Sequence, residues 1–163
     1  MTQWIEGAHP GLLGEIVRWH GLYYVRGLGW PAVFEALCAE QLGEIAKHLG
    51  TRDDVAAFSA WDGEEFLAAL VMDARPGQAR AGSRLRFFVA SDGARGRGLG
   101  TGLMTRALAW SAQRGDPSVW LTTVAGLGAS AHLYRKHGFK ILEERVDQTW
   151  GSPHTEQLWE RAT

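Results

Sequence analysis

The sequence predicts one mixed α/β domain over residues 1–163, and three observations carry that reading. Strand-like alternation and helix-like spacing of three and four follow one another along the chain. No linker, repeat or low-complexity segment interrupts it, and its length suits a single domain. Near the middle a glycine-rich loop leads straight from a strand-like run into a helix-like one, as in a helix crossover. The expected order is β-α-α-β-β-β-α-β-α-β-β.

Each element has its own warrant. Leu13 to Trp19 reads as a short first strand. A helical stretch from His20 to Val25 follows, closed by Gly27-Leu28-Gly29-Trp30. Pro31 fits the first turn of a second helix, where its missing N–H costs nothing. That helix carries Phe34, Leu37, Cys38, Leu42, Ile45 and Leu49 at helical spacing and stops at Gly50. Val55 to Trp61 and Glu64 to Met72 form a hairpin about Asp62-Gly63. Arg84 to Ala90 is a strand that alternates Leu85, Phe87 and Val89 with Arg84, Arg86 and Phe88. A helix from Leu99 to Arg114 presents Leu99, Leu103, Ala107 and Trp110 on one face. Ser118 to Val124 reads as a buried strand, and Ala129 to His137 as a short helix ended by Gly138. Phe139 to Trp150 and Thr155 to Trp159 close the chain as an antiparallel pair.

Composition narrows the function. Hydrophobic content of 45% is enough to build a core without staples. A net charge of -1 argues against wholesale binding to nucleic acid or to an anionic membrane. The longest uncharged apolar run, Phe66 to Met72, is too short to span a bilayer. The N-terminus has neither a basic stretch nor an apolar leader. The lone cysteine, Cys38, excludes an internal disulfide and suits a reducing compartment, so the expected location is cytoplasmic. Its place among Leu37 and Leu42 marks it as core rather than nucleophile. The histidines and acids show no metal-ligand spacing, and no metal is expected. The eight tryptophans read mainly as anchors of core and cleft walls.

The informative stretch is Phe88-Val89-Ala90-Ser91-Asp92-Gly93-Ala94-Arg95-Gly96-Arg97-Gly98-Leu99-Gly100-Thr101. Alternate glycines before a helix leave backbone N–H groups uncovered, and a helix N-terminus attracts anions. Five arginines and one acid, Asp92, lie between Arg80 and Arg97. Such a loop is either a phosphate cradle or a structural turn. It is not a P-loop, which needs Gly-Lys-Ser/Thr. Its glycine spacing also differs from the dinucleotide fingerprint.

Arg95-x-x-Gly98-x-Gly100 resembles the Arg/Gln-x-x-Gly-x-Gly/Ala signature of the GNAT N-acetyltransferases, and Leu133-Tyr134-x-x-x-Gly138-Phe139 resembles that superfamily's downstream segment. Trp19-His20-Gly21, Gly29-Trp30, Phe34-Glu35 and Gln157-Leu158-Trp159-Glu160 resemble the acetyltransferase part of bacterial MarR–GNAT fusion proteins, without their DNA-binding half. The resemblance covers nearly the whole chain. It implies a mixed, mostly antiparallel sheet of about seven strands flanked by about four helices. It also implies acetyl-CoA as cosubstrate and a small-molecule or peptide amine as acceptor, with no nucleic acid or membrane partner and with a homodimer left open.

The same resemblance assigns residues. The N–H groups of Gly96, Arg97, Gly98, Leu99, Gly100 and Thr101 hold the pyrophosphate. Phe88, Val89 and Ala90 pair edge-on with the pantetheine. Arg95 and Arg97 either flank the phosphates or are solvated. Tyr134 is the general acid for the departing thiolate, since a phenol with a pKa of ~10 is protonated at neutral pH. His132 and His137 beside it read as surface or helix-terminal residues. Two departures stand out: Leu127 occupies the place of a CoA-contacting asparagine, and Trp120 to Val124 lack the glutamate that serves some members as base. Glu35, His20 and ordered water remain as bases. Trp19, Tyr23, Tyr24, Trp30 and Trp150 lie in the expected acceptor region, where they read first as hydrophobic packing and second as contacts for a partly apolar acceptor. The alternative to an enzyme is a module that binds acetyl-CoA without turnover; a nucleotide-binding domain is the weakest option.

Overall fold

The computed structural model describes Met1–Thr163. Its elements are β1 (Thr2–Glu6), α1 (Leu12–Gly21), a π-helical turn (Leu22–Gly27), α2 (Val33–Ala46), β2 (Val55–Asp62), β3 (Glu65–Asp73), β4 (Ser83–Ala90), a 3₁₀ turn (Asp92–Ala94), α3 (Leu99–Arg114), β5 (Ser118–Val124), α4 (Gly128–Lys136), β6 (Lys140–Asp147) and β7 (His154–Ala162). The seven strands form one sheet in the order β1-β2-β3-β4-β5-β7-β6, antiparallel except for β4 against β5. This is the mixed α/β sheet with four α-helices that the sequence predicts.

Three local expectations are corrected. Leu13–Trp19 is not a strand but the body of α1. Gly14 and the β-branched pair Ile16-Val17 disguise a helical stripe, in which Leu12, Ile16 and His20 are buried four residues apart. The first strand is instead Thr2–Glu6, a short edge strand whose Trp4 lies under the Arg106 guanidinium, 3.9 Å from its centre. The β2–β3 turn is one residue later than expected: Asp62 pairs with Glu65, and Gly63 takes the positive φ of 60°.

Helices cover both faces of the sheet. Leu12, Ile16, Leu42 and Ile45 pack with Val55, Ala57, Ala69 and Val71 under α1 and α2. Each of those large side chains, fully buried, contributes roughly 1.5–3 kcal/mol. On the other face Leu99, Leu103, Met104 and Ala107 of α3 meet Phe58, Leu70, Met72, Leu85 and Leu121. Burial on both faces explains why β2 and β3 are almost continuously apolar.

The third correction positions the site. In β4 the residues Phe87 and Phe88 together oppose Leu70, a bulge between the pairs Val89–Ala69 and Arg86–Val71. Phe87 is the one non-glycine residue with positive φ, 52°. The expected single face of Leu85, Phe87 and Val89 is therefore split. Leu85 and Phe88 pack toward α3, whereas Phe87 and Val89 pack toward α1. A bulge bends its strand, and β4 pairs with β5 only through Ser83–Val119 and Arg84–Trp120. Meanwhile β7 holds β5 along its whole length, from Ser118–Ala162 to Val124–Glu156. Beyond Arg84 the two parallel strands diverge into a wedge.

Candidate active site

The wedge between β4 and β5 opens into a cleft of about 120 Å³. Leu85 to Phe88 line one side and Leu121 to Val124 the other; Tyr134 reaches it from α4, and Tyr24, Trp30 and Phe34 reach it from the helical hairpin. At its β4 wall, Ser91 N–H donates to Leu67 O at 2.8 Å. Backbone alternation then turns the N–H and C=O of Ala90 away from β3 and toward the open side. The segment Phe88-Val89-Ala90 thus has an unpaired strand edge.

The glycine-rich loop continues from that edge. Gly96 and Gly98 both adopt φ of 72°, and Gly98 is the left-handed residue from which α3 starts. The first helical bond is Gly102 N–H to Gly98 O. The N–H groups of Gly96, Gly98, Leu99, Gly100 and Thr101 have no protein acceptor, whereas Arg97 N–H bonds weakly to Ala94 O at 3.4 Å. Five free donors at the start of a 16-residue helix have the geometry that can hold an anion. Gly100 also sits where a Cβ would meet Leu133 Cδ2 at 3.1 Å and Phe88 Cζ at 3.4 Å, so its lack of a side chain lets α3 close on α4. Arg95 is exposed and pairs with Asp92 at 3.2 Å. Arg97 reaches Thr2 Oγ1 and Asp62, tying the loop to the β1–β2 edge.

Tyr134 stands in the core that α3 shares with the sheet, its ring against Phe139 and Trp159 at centroid distances of 5.9 and 5.6 Å. Its hydroxyl has no protein partner and lines the cleft. Burial, helped by Tyr24 nearby, pushes the phenol pKa up from its ordinary value. His137 is spent on Leu133 O, and the exposed His132 stands outside the cleft. Leu127, at the N-cap of α4, supplies no capping side chain.

The opposite wall is built from side chains. His20 is buried, and its Nδ1–H donates to Ile16 O at 2.8 Å, which leaves the lone pair on Nε2. Desolvation lowers its pKa to about 4, so the ring is neutral. Tyr24, Trp30, Phe34 and Trp150 form a continuous aromatic set with neighbouring centroids 4.7–5.4 Å apart. Of the other expected acceptor-side aromatics, Tyr23 is exposed and Trp19 packs under α1. Glu35 lies outside the cleft, in the outer groove between α1 and α2, near Gly21. Cys38 is buried at the cleft wall, and burial pushes its thiol up to about 12. Sequence reasoning misses two lining groups: Arg84 and Arg86, which alternate with Leu85 on the face turned to α2. It also does not find Asp147, His154 and Glu156, whose polar atoms converge within 4.8 Å of one another across β6 and β7. Glu156 there is bound by Arg145 at 2.8 Å.

Comparison with known proteins adds to this geometry. The family model described as Acetyltransferase (GNAT) family matches residues 19–139. No curated protein sequence matches the chain. Among solved structures, an acetyltransferase of the GNAT family from Staphylococcus aureus is 10% identical, with a TM-score of 0.75 over 99% of each chain. The protein yncA of Salmonella typhimurium, solved with its cofactor acetyl-CoA, is 11% identical, with a TM-score of 0.72 over 99% of this chain and 93% of that one. A Bacillus anthracis protein in complex with acetyl coenzyme A is 16% identical, with a TM-score of 0.60. That match covers 70% of this chain and 65% of the other, just under two thirds of its length. At these identities the likeness is one of fold.

Proposed function

Because the chain belongs to the GNAT acetyltransferase family, we propose that it moves an acetyl group from acetyl-CoA to an amine by direct attack in a ternary complex. The observation that carries the reading is the run of five unpartnered N–H groups at the head of α3, next to the open edge of β4. A pyrophosphate fits those donors, assisted by the helix dipole. An amide-bearing pantetheine arm fits the strand edge from Phe88 to Ala90, and the left-handed glycines keep side chains off the path. Acetyl-CoA supplies an activated thioester. An N–H on the open β4 edge donates to the carbonyl oxygen as charge builds there.

Tyr134 holds the proton for the departing sulfur. Its raised pKa keeps the hydroxyl protonated at neutral pH, and its free O–H lines the cleft. Glu35 lines the outer groove rather than the cleft, so it does not face the amine. His20 is neutral with Nε2 free, but a pKa near 4 suits hydrogen-bond acceptance better than deprotonation of an ammonium. Ordered water therefore takes the amine proton. A second reading, an acetyl-CoA-binding module without turnover, rests on the absence of any acid from β5.

Two measurements separate these readings. Acetyl-CoA should raise the melting temperature where ATP and NAD do not. Thiol release across a panel of amines should then show turnover. No shift with acetyl-CoA overturns both readings, and a shift without thiol release favours the silent module. The narrower kinship with MarR–GNAT fusions rests on Trp19-His20-Gly21 and the other flanks alone. A cytoplasmic site of action and a small-molecule or peptide acceptor belong to the same proposal. For the membrane, the structure adds that no helix is long and apolar enough to cross one.

A further inference from the structure

The acceptor wall carries two cations that the acetyl-transfer reading leaves unexplained. Arg84 and Arg86 stand two residues apart on β4, on the face opposite Leu85 and α3, and both line the cleft. Neither has a carboxylate partner. The Arg84 Nη2 group donates to Thr122 Oγ1 at 3.2 Å, its guanidinium lies 4.9 Å from the centre of the Trp120 ring, and its Nε–H is buried with no acceptor. Arg86 Nη2 donates to the neutral Gln41 Oε1 at 2.5 Å, and its guanidinium lies over Phe87 at 4.8 Å. Three other part-buried arginines are matched to acids: Arg75 to Asp73, Arg80 to Glu160, Arg114 to Asp116.

No carboxylate contacts either guanidinium, and Glu156 and Asp73 act on them only at longer range. Burying two like charges side by side in this way is costly, and a guanidinium stays charged at neutral pH. Burial and the charge of Arg84 hold Arg86 down to about 10, which still leaves it protonated. The one acid lining the cleft, Glu156, is engaged by Arg145 through two bonds of 3.0 and 2.8 Å. The pair is poised to receive an oxyanion, and a guanidinium fork matches a carboxylate. Around it stand Tyr24, Trp30, Phe34 and Trp150, which offer an apolar cage and no charge. The cleft of about 120 Å³ is small beside the roughly 300–1,000 Å³ of most ligand pockets.

Building on the acetyl-transfer reading, we infer that the acceptor is a free amino acid with an apolar side chain, whose α-carboxylate docks on Arg84 and Arg86 while its amine faces the thioester. The side chain fills the aromatic cage. Amines lacking the carboxylate leave the two guanidiniums uncompensated and bind poorly.

Matched acceptors test this on the unmodified protein. Thiol release is followed with L-phenylalanine, L-phenylalaninamide and phenethylamine, and with L-leucine, L-leucinamide and 3-methylbutylamine. The free acids should exceed their amides and decarboxylated amines at least tenfold in kcat/KM, the difference lying mainly in KM. Calorimetric titration of each compound into protein saturated with CoA gives a readout independent of turnover and should show the same order. R84Q and R86Q should erase the preference while acetyl-CoA still binds. Equal or better use of the amides or amines overturns the proposal and leaves the acetyl-transfer reading standing, as does failure of both free acids to bind the CoA-loaded protein. Failure of acetyl-CoA itself to bind removes the acetyl-transfer reading and this proposal together.

Discussion

The two walls of the wedge are built from different material. The side proposed for the coenzyme is backbone: the open edge of β4 and the N–H groups of Gly96, Gly98, Leu99, Gly100 and Thr101, with glycines keeping side chains away. The side proposed for the acceptor is made of side chains from distant segments: His20, Tyr24, Trp30, Phe34, Arg84, Arg86 and Trp150. Backbone donors are the same whatever sequence carries them, so on the acetyl-transfer proposal the first wall recognises what is constant in the reaction. The second wall can be changed residue by residue without disturbing the first. Only Tyr134 is set to serve both, since it reaches the cleft from the core beneath the coenzyme side.

The largest expected effect falls on that shared residue. Tyr134→Phe keeps the ring against Phe139 and Trp159 and removes only the hydroxyl. General acids contribute roughly 10²–10⁴-fold, so kcat should fall by about that factor while acetyl-CoA affinity changes little. Steady-state kinetics beside calorimetry decide the matter. Loss of both properties would make Tyr134 a packing residue of the coenzyme wall, and loss of neither would mean that solvent supplies the proton.

The next effect separates the walls by pH. His20 on the acceptor side is buried neutral with a pKa of about 4, below its ordinary 6.5. The unfolded chain therefore binds a proton in this range that the folded one does not. The contribution is fully present above pH 6.5 and is lost as pH falls from there toward 4. Between pH 6.5 and 5 the loss should reach about 2 kcal/mol. Urea unfolding at the two pH values reads it. The depressed carboxylates, such as Asp73 beside Arg75, lose their contribution only at lower pH. His20→Asn should flatten the slope in this window; an unchanged slope would show that His20 is not held neutral. The backbone-built wall offers nothing that titrates there.

A third measurement addresses the backbone wall alone. Gly98 has open space around it, so a substituent there is opposed by its φ of 72° rather than by a clash. A left-handed conformation costs an ordinary residue about 1–2 kcal/mol, and a β-branched one more. Gly98→Val should therefore weaken acetyl-CoA binding by roughly tenfold to a hundredfold. The preference among acceptors should be unaltered. Unchanged acetyl-CoA affinity would take the pyrophosphate off this loop.

The contrast also explains what can be read from the sequence. The backbone wall is local: one contiguous segment with glycines at alternate positions between a strand and a helix, so its residues and setting are legible in the amino-acid order itself. The Leu99–Arg114 helix and the Ser118–Val124 strand coincide with the observed elements. The acceptor wall is tertiary. Arg84 and Arg86 can be placed on one face of a strand, but only the bulge at Phe87 and the divergence of β5 turn that face into a cleft. No periodicity announces a bulge whose positive φ is taken by phenylalanine. The mistaken strand at Leu13–Trp19 has the same root, since β-branched residues in a short segment outweigh a four-residue stripe. It also hides β1, whose five residues are too few and too polar to show alternation.

The smallest expected effect concerns Cys38, the one nucleophile on the acceptor wall. It lies between Phe34 and Leu42 on the buried face of α2 and lines the cleft. Were it catalytic, its thiolate would take the acetyl group from the thioester and release CoA, and the two walls would act in sequence rather than together. The physical setting opposes this. Reactive cysteines need a lowered pKa, but burial pushes this thiol up to about 12, with only partial relief from Arg86. Cys38→Ala should therefore keep kcat within about twofold. Removing one buried sulfur should cost about 1 kcal/mol of stability, the scale of one or two methylenes of apolar burial. Kinetics and a melting curve on the same preparation suffice. Abolished turnover in a variant that still folds and binds acetyl-CoA would restore the acyl-cysteine route and end the ternary-complex reading, because the amine would then meet an acetylated protein instead of the coenzyme.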